Sequence, residues 1–389
     1  MASIRKRHWI SRHGERTAWV VDYFDQAGKR HLRSFKTRKE ADNWKATALF
    51  EVKQGTHTSA SASITVIDCW ERWLDHCRAE GLEFGTIKQR DQHLKLHVTP
   101  FIGREKLSNL TTLHVHQFDA ELRAKGRSGS MRRKVLSNLK TLLTFAQTQG
   151  LVAQNVARAI RLKNEDRHKA TGPLRESVDF PSKAELRILI EKASGRWRPF
   201  LLAAIFTGMR ASELRGLSWN DVDLEAGFIH VRQRADAWKK MGPPKSKCGK
   251  RDIPLAPIVV NELTRWKKKC PAGKLNLVFP NGAGNVESMS NIWKRFWSPH
   301  QIACGASEDT GKVDGESKPI FRAKYGFHML RHAAASLFIA HLGWTPKRVQ
   351  TVMGHSSIAM TFDLYGHLFE DHDADREAMK KIEAAVIAA

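Results

Sequence analysis

The sequence predicts a multidomain, mainly α-helical protein with small β elements, and three observations support that prediction. At 389 residues the chain is long enough for two or three domains with separate hydrophobic cores. Apolar residues recur at helical spacing over most of its length, whereas strand patterns are confined to short segments. Two polar stretches rich in turn-forming residues, 56–63 and 164–180, divide the chain into three parts.

Residues 1–57 predict a small β-sheet followed by one helix. Segments 19–24 and 31–35 have strand character, and turn-forming residues 25–28 separate them. Thr37 and Glu40 form a capping-box pattern that opens the helix. The 13 Lys and Arg against 6 Asp and Glu in residues 1–57 suit an accessory nucleic-acid-binding domain. The alternative is a solvated basic surface on a structural domain.

Residues 64–160 predict a four-helix domain, and residues 181–389 predict a larger, mainly helical domain with a strand patch at 228–255. In the four-helix domain, one apolar face begins at Trp70, and further helical segments cover 86–98, 112–125 and 130–149. In the larger domain, Ser182 and Glu185 occupy the N-cap and N3 positions of the first helix. These boundaries define the three predicted domains.

The charge of the chain indicates a polyanionic partner, and nucleic acid is the first candidate. The formal net charge is +25 and the pI is about 10.1. The longest apolar run, residues 200–206, is far too short to cross a membrane, and the basic N-terminus lacks the apolar stretch of a secretory signal. Five scattered cysteines without a CxxC pair disfavour a disulfide scaffold or a zinc knuckle, and they suit a reducing cytoplasm.

Two residue clusters in the last domain are candidates for anion chemistry. Gly208 is predicted to end an apolar helix, and Arg210 to begin the next one, with Glu213 one turn along the same face. A surface ion pair is the simpler explanation of Arg210 and Glu213. Lys245 lies in a basic segment that predicts a hairpin tip with its turn at Gly249. This lysine can donate a proton to a leaving oxygen or contact phosphate as a point charge.

Two further clusters follow in the same domain. His328 and His332 have the i, i+4 spacing of half a zinc site, but Met329 replaces the glutamate of the zinc-protease motif and no third ligand is evident. His328 and Arg331 would instead share one helix face and contact one phosphate. His355 precedes Tyr365 by ten residues. A tyrosine in such an amphipathic segment is, by itself, normally a half-buried core residue.

Taken together and in this order, the clusters resemble the tyrosine recombinases, also called the phage integrase family. TGMRASEL is similar to their first arginine box, PPKSKCGKRDIPL to the catalytic-lysine hairpin, HMLRH to the His-x-x-Arg box, and MGHSSIAMTFDLYGH to the histidine and tyrosine box. The resemblance extends over nearly the whole chain. It implies an arm-type DNA-binding domain at 1–57, a core-site DNA-binding domain at 64–160 and a catalytic domain at 181–389.

The resemblance also implies a set of roles. Tyr365 would be the nucleophile that forms a 3′-phosphotyrosyl link to DNA, and Lys245 the proton donor to the departing 5′ oxygen. The phosphate ligands would be Arg210, His328, Arg331 and His355, and His328 would also be placed to take the phenol proton. Glu213 would hold Arg210 in place. No metal ion or other cofactor is required, because the cations are side chains, and no ATP is required, because the phosphotyrosyl link stores the energy of the broken bond.

Partners follow from the same resemblance. The chain would act as a homotetramer on double-stranded DNA with core and arm-type sites, assisted by DNA-bending and directionality factors, and would integrate or excise a prophage or another mobile element. A DNA-binding or architectural protein that has lost the chemistry and a type IB topoisomerase are the two other classes. The segment 298–327 is longer than is usual in the family.

The last residues, 371–389, predict a helix. Acidic residues at 371, 373 and 375 suit its N-terminus. Its apolar stripe consists of Ala378, Met379, Ile382, Ala385, Val386 and Ala389. The stripe is predicted to pack on a neighbouring protomer or on its own domain.

Overall fold

In a computed structural model, the described residues are 2–162, 180–365 and 379, except 12–13, 27, 55–56, 58 and 60–61. The helix predicted at 371–389 and nearly all of the stretch 164–180 lie outside the described residues, as does part of the stretch 56–63. The chain forms two compact units, residues 1–171 and 172–389. Among the helices that are described, none is long and apolar enough to span a bilayer.

The chain begins with an antiparallel three-stranded sheet of order β1-β2-β3, against which the first helix packs. The elements are β1 (Ser3–Ser11), β2 (Gly14–Phe24), β3 (Arg30–Phe35) and α1 (Arg38–Gln54). The capping box between Thr37 and Glu40 is present, as predicted. The prediction of two strands was wrong, because β1 is a third. Its basic, mostly exposed residues lack an alternating pattern, and its pairing with β2 makes it a strand.

The four-helix part of the first unit has its own apolar core, which includes Trp70, Phe118 and Leu139. Its elements are α2 (Val66–Ala79), α3 (Phe84–His93), a π-helical turn (Leu94–Val98), α4 (Thr99–Ile102), α5 (Thr112–Ala124) and α6 (Gly129–Thr148). The segment predicted as one helix at 86–98 thus continues through the π-helical turn into α4. The mainly helical character predicted from the spacing of apolar residues is confirmed.

The second unit surrounds a larger apolar core built from α8 and α13 together with the helices packed on them. Its helices are α7 (Lys183–Lys192), α8 (Trp197–Thr207), α9 (Ala211–Gly216), α10 (Pro257–Lys267), α11 (Met289–Asn291), α12 (Ser298–Ala303), α13 (Met329–Leu342), α14 (Pro346–Met353) and α15 (Ile358–Tyr365). A π-helical turn (Ile292–Trp297) connects α11 to α12. Ser182 and Glu185 form the predicted capping box of α7.

The strands of this unit correct the predicted hairpin. β4 (Val222–Asp223), β5 (Phe228–Val231) and β8 (Arg251–Pro254) form one antiparallel sheet, and β6 (Arg234–Ala235) pairs with β7 (Met241–Gly242). The tight turn joins β6 to β7, where the Asp236 carboxylate accepts backbone N–H bonds from Trp238 and Lys240. Gly249 is therefore not at a hairpin turn. It ends a short 3₁₀ helix (Lys247–Gly249) just before β8.

The long segment 298–327 is ordered by local structure of its own. After α12, strands β9 (Ser307–Val313) and β10 (Pro319–Ala323) pair as an antiparallel hairpin. The side chains of Tyr325 and Phe327 then return to the apolar core, directly before α13. The hairpin thus lies between α12 and α13, and the packing of Tyr325 and Phe327 in the core holds the start of α13.

Candidate active site

The first arginine lies at a helix start that a glycine creates. Gly208 ends α8 with φ of 61°, a left-handed conformation that favours glycine, and the chain then turns into α9 with Arg210 at its N-cap. A Cβ at Gly208 would lie 2.8 Å from the Met353 sulfur. The Glu213 carboxylate accepts bonds from the Arg210 backbone N–H (2.9 Å) and from its guanidinium Nη1 (2.8 Å). Arg210 is thereby fixed from both ends.

The second arginine, Arg331, is buried in the first turn of α13. Its side chain donates to the backbone carbonyls of Gly208 (2.6 Å) and Met353. Arg210 donates in the same way to the carbonyl of Gly354, at 2.8 Å. A guanidinium carries five N–H groups, so each arginine retains donors for a further acceptor after these contacts. Both forks are therefore held by backbone carbonyls in a geometry that suits an anion.

A third guanidinium completes what we term the arginine cluster, namely Arg210, Glu213, Arg251 and Arg331. Arg251 makes a two-point ion pair with Glu213, at 2.8 and 3.2 Å, and both side chains are 2% exposed. The pKa of the Glu213 carboxyl is about 2. Burial alone would raise it, but the hydrogen bond and charge of Arg251, followed by the charge of Arg210, outweigh burial. Glu213 is therefore a permanent anion at neutral pH.

The arginine cluster contains more positive than negative charge. Three guanidinium groups face one carboxylate among its four described side chains. Burial, followed by the charges of Arg210 and Arg251, lowers the pKa of Arg331 below its usual range. A lowered arginine pKa means that the surroundings destabilise the protonated guanidinium. A bound anion would reverse that destabilisation. The cluster can therefore bind a phosphate-like group.

The predicted histidine His355 borders this cluster. It follows Gly354, which ends α14 with φ of 65°. The ring is 4% exposed, and its Nδ1 lies 2.9 Å from the Thr361 hydroxyl in α15. Burial, followed by the charges of Arg331 and Arg210, lowers its pKa to about 3. His355 is thus neutral at pH 7 and can donate one N–H to an anion.

The predicted nucleophile Tyr365 is buried at the end of α15, and its hydroxyl lies 2.6 Å from Nδ1 of His332. Burial raises the pKa of the Tyr365 phenol, and the charge of Arg331 opposes that rise. His328 contacts the edge of the His332 ring, with centroids 5.2 Å apart. Loss of hydration, followed by the charges of His332 and Arg331, lowers the pKa of His328 to about 4.

No hydrogen bond or ion pair joins Lys245 to these groups. It is exposed in the segment 243–250, the lysine loop, and no hydrogen bond or ion pair connects its ammonium group to another described residue. The end of the loop does reach the cluster, because the Gly249 carbonyl accepts a bond from Arg251. The structure therefore brings together Arg210, Glu213, His328, Arg331, His355 and Tyr365, and it shows no hydrogen bond or ion pair between them and the Lys245 ammonium group.

Sequence reasoning missed two residues of this site. Arg251 was within the recognised lysine motif but carried no separate signal, because its partner Glu213 is 38 positions away. His332 was considered only as a metal ligand, although its i, i+4 spacing from His328 places it one helical turn nearer to Tyr365. The described residues hold no group of three or more His, Cys, Asp or Glu side chains arranged for a metal ion.

Paired arginine forks, neutral histidines and a tyrosine hydroxyl define the site of a phosphoryl-transfer protein. Two models of one family match the chain: the phage integrase family model at residues 182–372 and the phage integrase N-terminal SAM-like domain at residues 65–122. The chain belongs to the phage integrase family, whose members are the tyrosine recombinases. The predicted family and fold class are both confirmed.

Several curated relatives are similar over most of their length. A tyrosine recombinase XerC-like protein of Caldanaerobacter subterraneus is 24% identical over 88% of this chain and 90% of its own length. An integrase of Streptomyces ambofaciens is 25% identical over 92% of this chain and 90% of its own. The similarity thus includes both compact units.

Solved structures share the fold. The Tn1549 transposon integrase in complex with a circular intermediate DNA aligns with a TM-score of 0.63 at 21% identity, over 82% of this chain and all of that one. The lambda integrase tetramer bound to a Holliday junction aligns with a TM-score of 0.54 at 19% identity, over 90% of this chain and 95% of that one.

Proposed function

We propose that this chain is a site-specific DNA recombinase that cuts and rejoins DNA through a 3′-phosphotyrosyl intermediate. One observation carries the proposal: two guanidinium groups, those of Arg210 and Arg251, pair with the single buried carboxylate of Glu213, and a third, that of Arg331, lies near them and near a tyrosine hydroxyl. A DNA phosphodiester is an anion that repels nucleophiles, and such a set of cations removes that obstacle. Family membership supports DNA as the substrate, since related integrases are known in complex with DNA.

In this proposal the phosphate binds to the free N–H groups of Arg210 and Arg331. Their planar forks suit the two non-bridging oxygens and the charge that grows on them as the pentacoordinate phosphorus forms. His328 and His355 donate further hydrogen bonds to the same oxygens. Both histidines are neutral at pH 7, with pKa values of about 4 and 3, so they act as N–H donors without adding charge.

Tyr365 then attacks phosphorus. Its oxygen forms the new P–O bond as the bond to the 5′ oxygen breaks, and the phenol proton passes to a base. We assign that base to His332 in preference to His328, because Nδ1 of His332 lies 2.6 Å from the hydroxyl. The Nδ1 atom is free to accept when the ring proton is on Nε2, and burial keeps the His332 pKa below its usual value.

Lys245 supplies the proton that the departing 5′ oxygen needs. A 5′-hydroxyl from another strand reverses each bond change and rejoins DNA, so the P–O bond energy is conserved and no ATP is consumed. Residues 64–160 would bind the core site. Residues 1–57 would bind arm-type sites through the sheet face opposite α1, on which Arg7 and Arg16 are exposed.

A homotetramer on paired sites is the assembly that strand exchange requires, and DNA-bending and directionality factors would determine whether the element integrates or is excised. We place the protein in the cytoplasm of a bacterial host. The five cysteines are free thiols, one of them the exposed Cys248, which suits a reducing compartment.

A suicide substrate, nicked so that the cleaved strand cannot be rejoined, tests the chemistry. The chain should form a covalent adduct on it, and Tyr365→Phe should bind the DNA without forming one. Tyr23→Phe and Tyr325→Phe are matched controls, since both tyrosines are buried outside the site and should retain cleavage. An adduct in Tyr365→Phe would disprove the nucleophile, and adducts in no variant would favour a DNA-binding protein without catalysis.

The same substrates separate the remaining assignments. A chain without residues 1–57 should lose binding to distal arm sites and keep weaker binding to the crossover site. Unchanged binding to both would contradict the arm-domain assignment. Joining of two different duplexes distinguishes recombination from type IB topoisomerase activity, which relaxes a supercoil within one duplex.

A further inference from the structure

The cluster contains a cation that the proposed reaction does not use. Arg251 is the first residue of β8, paired with Val231 of β5, and only 6% of its surface is exposed. Among the described residues it makes no hydrogen bond to Tyr365 or to the side chains that would contact phosphate, although its charge acts on Arg331 and His355. A buried guanidinium is costly unless all its donors have acceptors, so its contacts indicate why it is there.

Those contacts join three separate elements. The Nη atoms hold the Glu213 carboxylate of α9, which in turn holds Arg210. Nη1 also donates to the Gly249 carbonyl at the end of the lysine loop, at 2.9 Å. Nε donates to the Val352 carbonyl in the last turn of α14, at 2.6 Å. One side chain thus connects α9, the lysine loop and the segment that carries His355.

The elements that Arg251 joins are packed so closely that larger residues at Gly354 or Gly249 would clash. A Cβ at Gly354 would lie 2.9 Å from the Cys248 carbonyl and 3.1 Å from Nη1 of Arg251, so the lysine loop is packed directly on the turn before His355. A Cβ at Gly249 would lie 2.4 Å from the Pro244 side chain, which is the neighbour of Lys245. A shift of Arg251 would therefore be transmitted to both ends of the loop.

We propose that Arg251 is a positioning residue that fixes the lysine loop to the phosphate-binding arginines, so that the proton donor and the anion ligands share one geometry. The proposal rests on the proposed function, in which Lys245 protonates the 5′ oxygen. A guanidinium presents its donors as a planar fork with fixed directions, whereas an ammonium is a point charge with three donors. Lysine at this position keeps the charge near Glu213 but cannot hold all three acceptors.

The experiment compares cleavage rates on two suicide substrates, one with the natural 5′ oxygen and one with sulfur in its place. A thiolate leaves without protonation, so the sulfur-to-oxygen rate ratio reports how well the acid is delivered. Arg251→Lys should slow cleavage of the oxygen substrate by about 100-fold, the loss expected from a displacement of roughly 1 Å. Its rate ratio should rise at least tenfold, as that of Lys245→Ala does.

Arg215→Lys is the matched control. Arg215 is also buried, at 3% exposure, and donates to the backbone carbonyls of Glu287 and Asp236 outside the cluster. The Arg215→Lys variant should lose about as much thermal stability as Arg251→Lys, with no change in its sulfur-to-oxygen rate ratio. An unchanged ratio in Arg251→Lys would overturn the proposal and leave Arg251 a structural residue.

A second variant covers the case in which Arg251→Lys does not fold. Gly249→Ala keeps the Glu213–Arg251 ion pair and displaces only the loop, so it should raise the same ratio, and an unchanged ratio in this variant would overturn the proposal too. Failure of the proposed function is distinguishable, since it would appear as no adduct with the unmodified chain or as no rescue of Lys245→Ala by sulfur.

Discussion

The arginine cluster and the lysine loop contain the two kinds of cation that the proposed reaction needs, and the fold holds them in opposite ways. Arg331 is 4% exposed and bound to two carbonyls, and Glu213 is enclosed by two guanidinium groups. Lys245 is exposed, and among the described residues nothing holds its ammonium group. Only the end of its loop is anchored, through Gly249 and Arg251.

The difference follows from when each cation is needed. Stabilising the charge on phosphorus works best if the donors are already oriented, because no reorganisation is then required during the reaction. Burying cations in this way needs compensating acceptors, which Glu213 and the backbone carbonyls provide. A proton donor must instead reach a moving 5′ oxygen, and an exposed lysine side chain can change its conformation to do so. We expect the two groups to respond differently to substitution.

Removal of a buried arginine should give the largest effect. Arg331→Ala should reduce adduct formation by about 1,000-fold or more on both oxygen and sulfur substrates, because it removes a charge contact to the phosphorus oxygens. Single-turnover cleavage measures the rate. Arg196→Ala breaks the ion pair with Glu287 in the same unit and is the control. An equal loss in that control would mean that the cluster is no more than structural.

Removal of the exposed lysine should give a smaller loss of cleavage rate. The size of this loss should depend on the leaving group. Lys245→Ala should slow cleavage of the oxygen substrate by about 10²- to 10⁴-fold, the range of general acid catalysis, and cleave the sulfur substrate at nearly the unmodified rate. Stability should change by less than about 0.5 kcal/mol, since the side chain is exposed. Lys247→Ala, in the same loop, should cleave both substrates normally. A sulfur substrate that is cleaved equally slowly would assign Lys245 to phosphate binding.

The smallest effect should be a pH dependence of stability. The pKa of His355 falls from 6.5 to about 3 on folding, so below pH 6.5 the unfolded chain binds a proton that the folded site does not. This one group should therefore lower stability as the pH falls from 7 to 5, by at most about 1.4 kcal/mol per pH unit, and His328 and His332, whose pKa values burial also lowers, should add to the decrease. Glu213 remains ionised in the folded chain throughout this window, because its pKa is about 2.

His355→Asn should flatten this decrease, as measured by thermal unfolding of the DNA-free chain at several pH values. Parallel curves for the unmodified chain and His355→Asn would show that the buried imidazole is not the group that resists protonation.

Local signals in the sequence were sufficient for much of the fold and of the site. The capping boxes at Thr37 and Ser182 and the helix end at Gly208 depend on residues within three or four positions, so the sequence predicts them directly. The same is true of the helical spacing in the four-helix part. Strand pairing made the prediction wrong in two places, strand β1 and the turn assigned to Gly249, because the pairing partners, and not the strand's own residue pattern, decide both.

By itself, the sequence determined the class of protein, the helical segments and the residue types of the site, since each of these is written in composition, periodicity and short motifs. Only the tertiary structure decided that Arg251 shares Glu213 with Arg210, that His332 meets Tyr365, and that Lys245 makes no hydrogen bond or ion pair with the cluster. The physical reason is that these contacts join residues between 33 and 38 positions apart, or leave one exposed, and burial and charge compensation become definite only once the chain has folded.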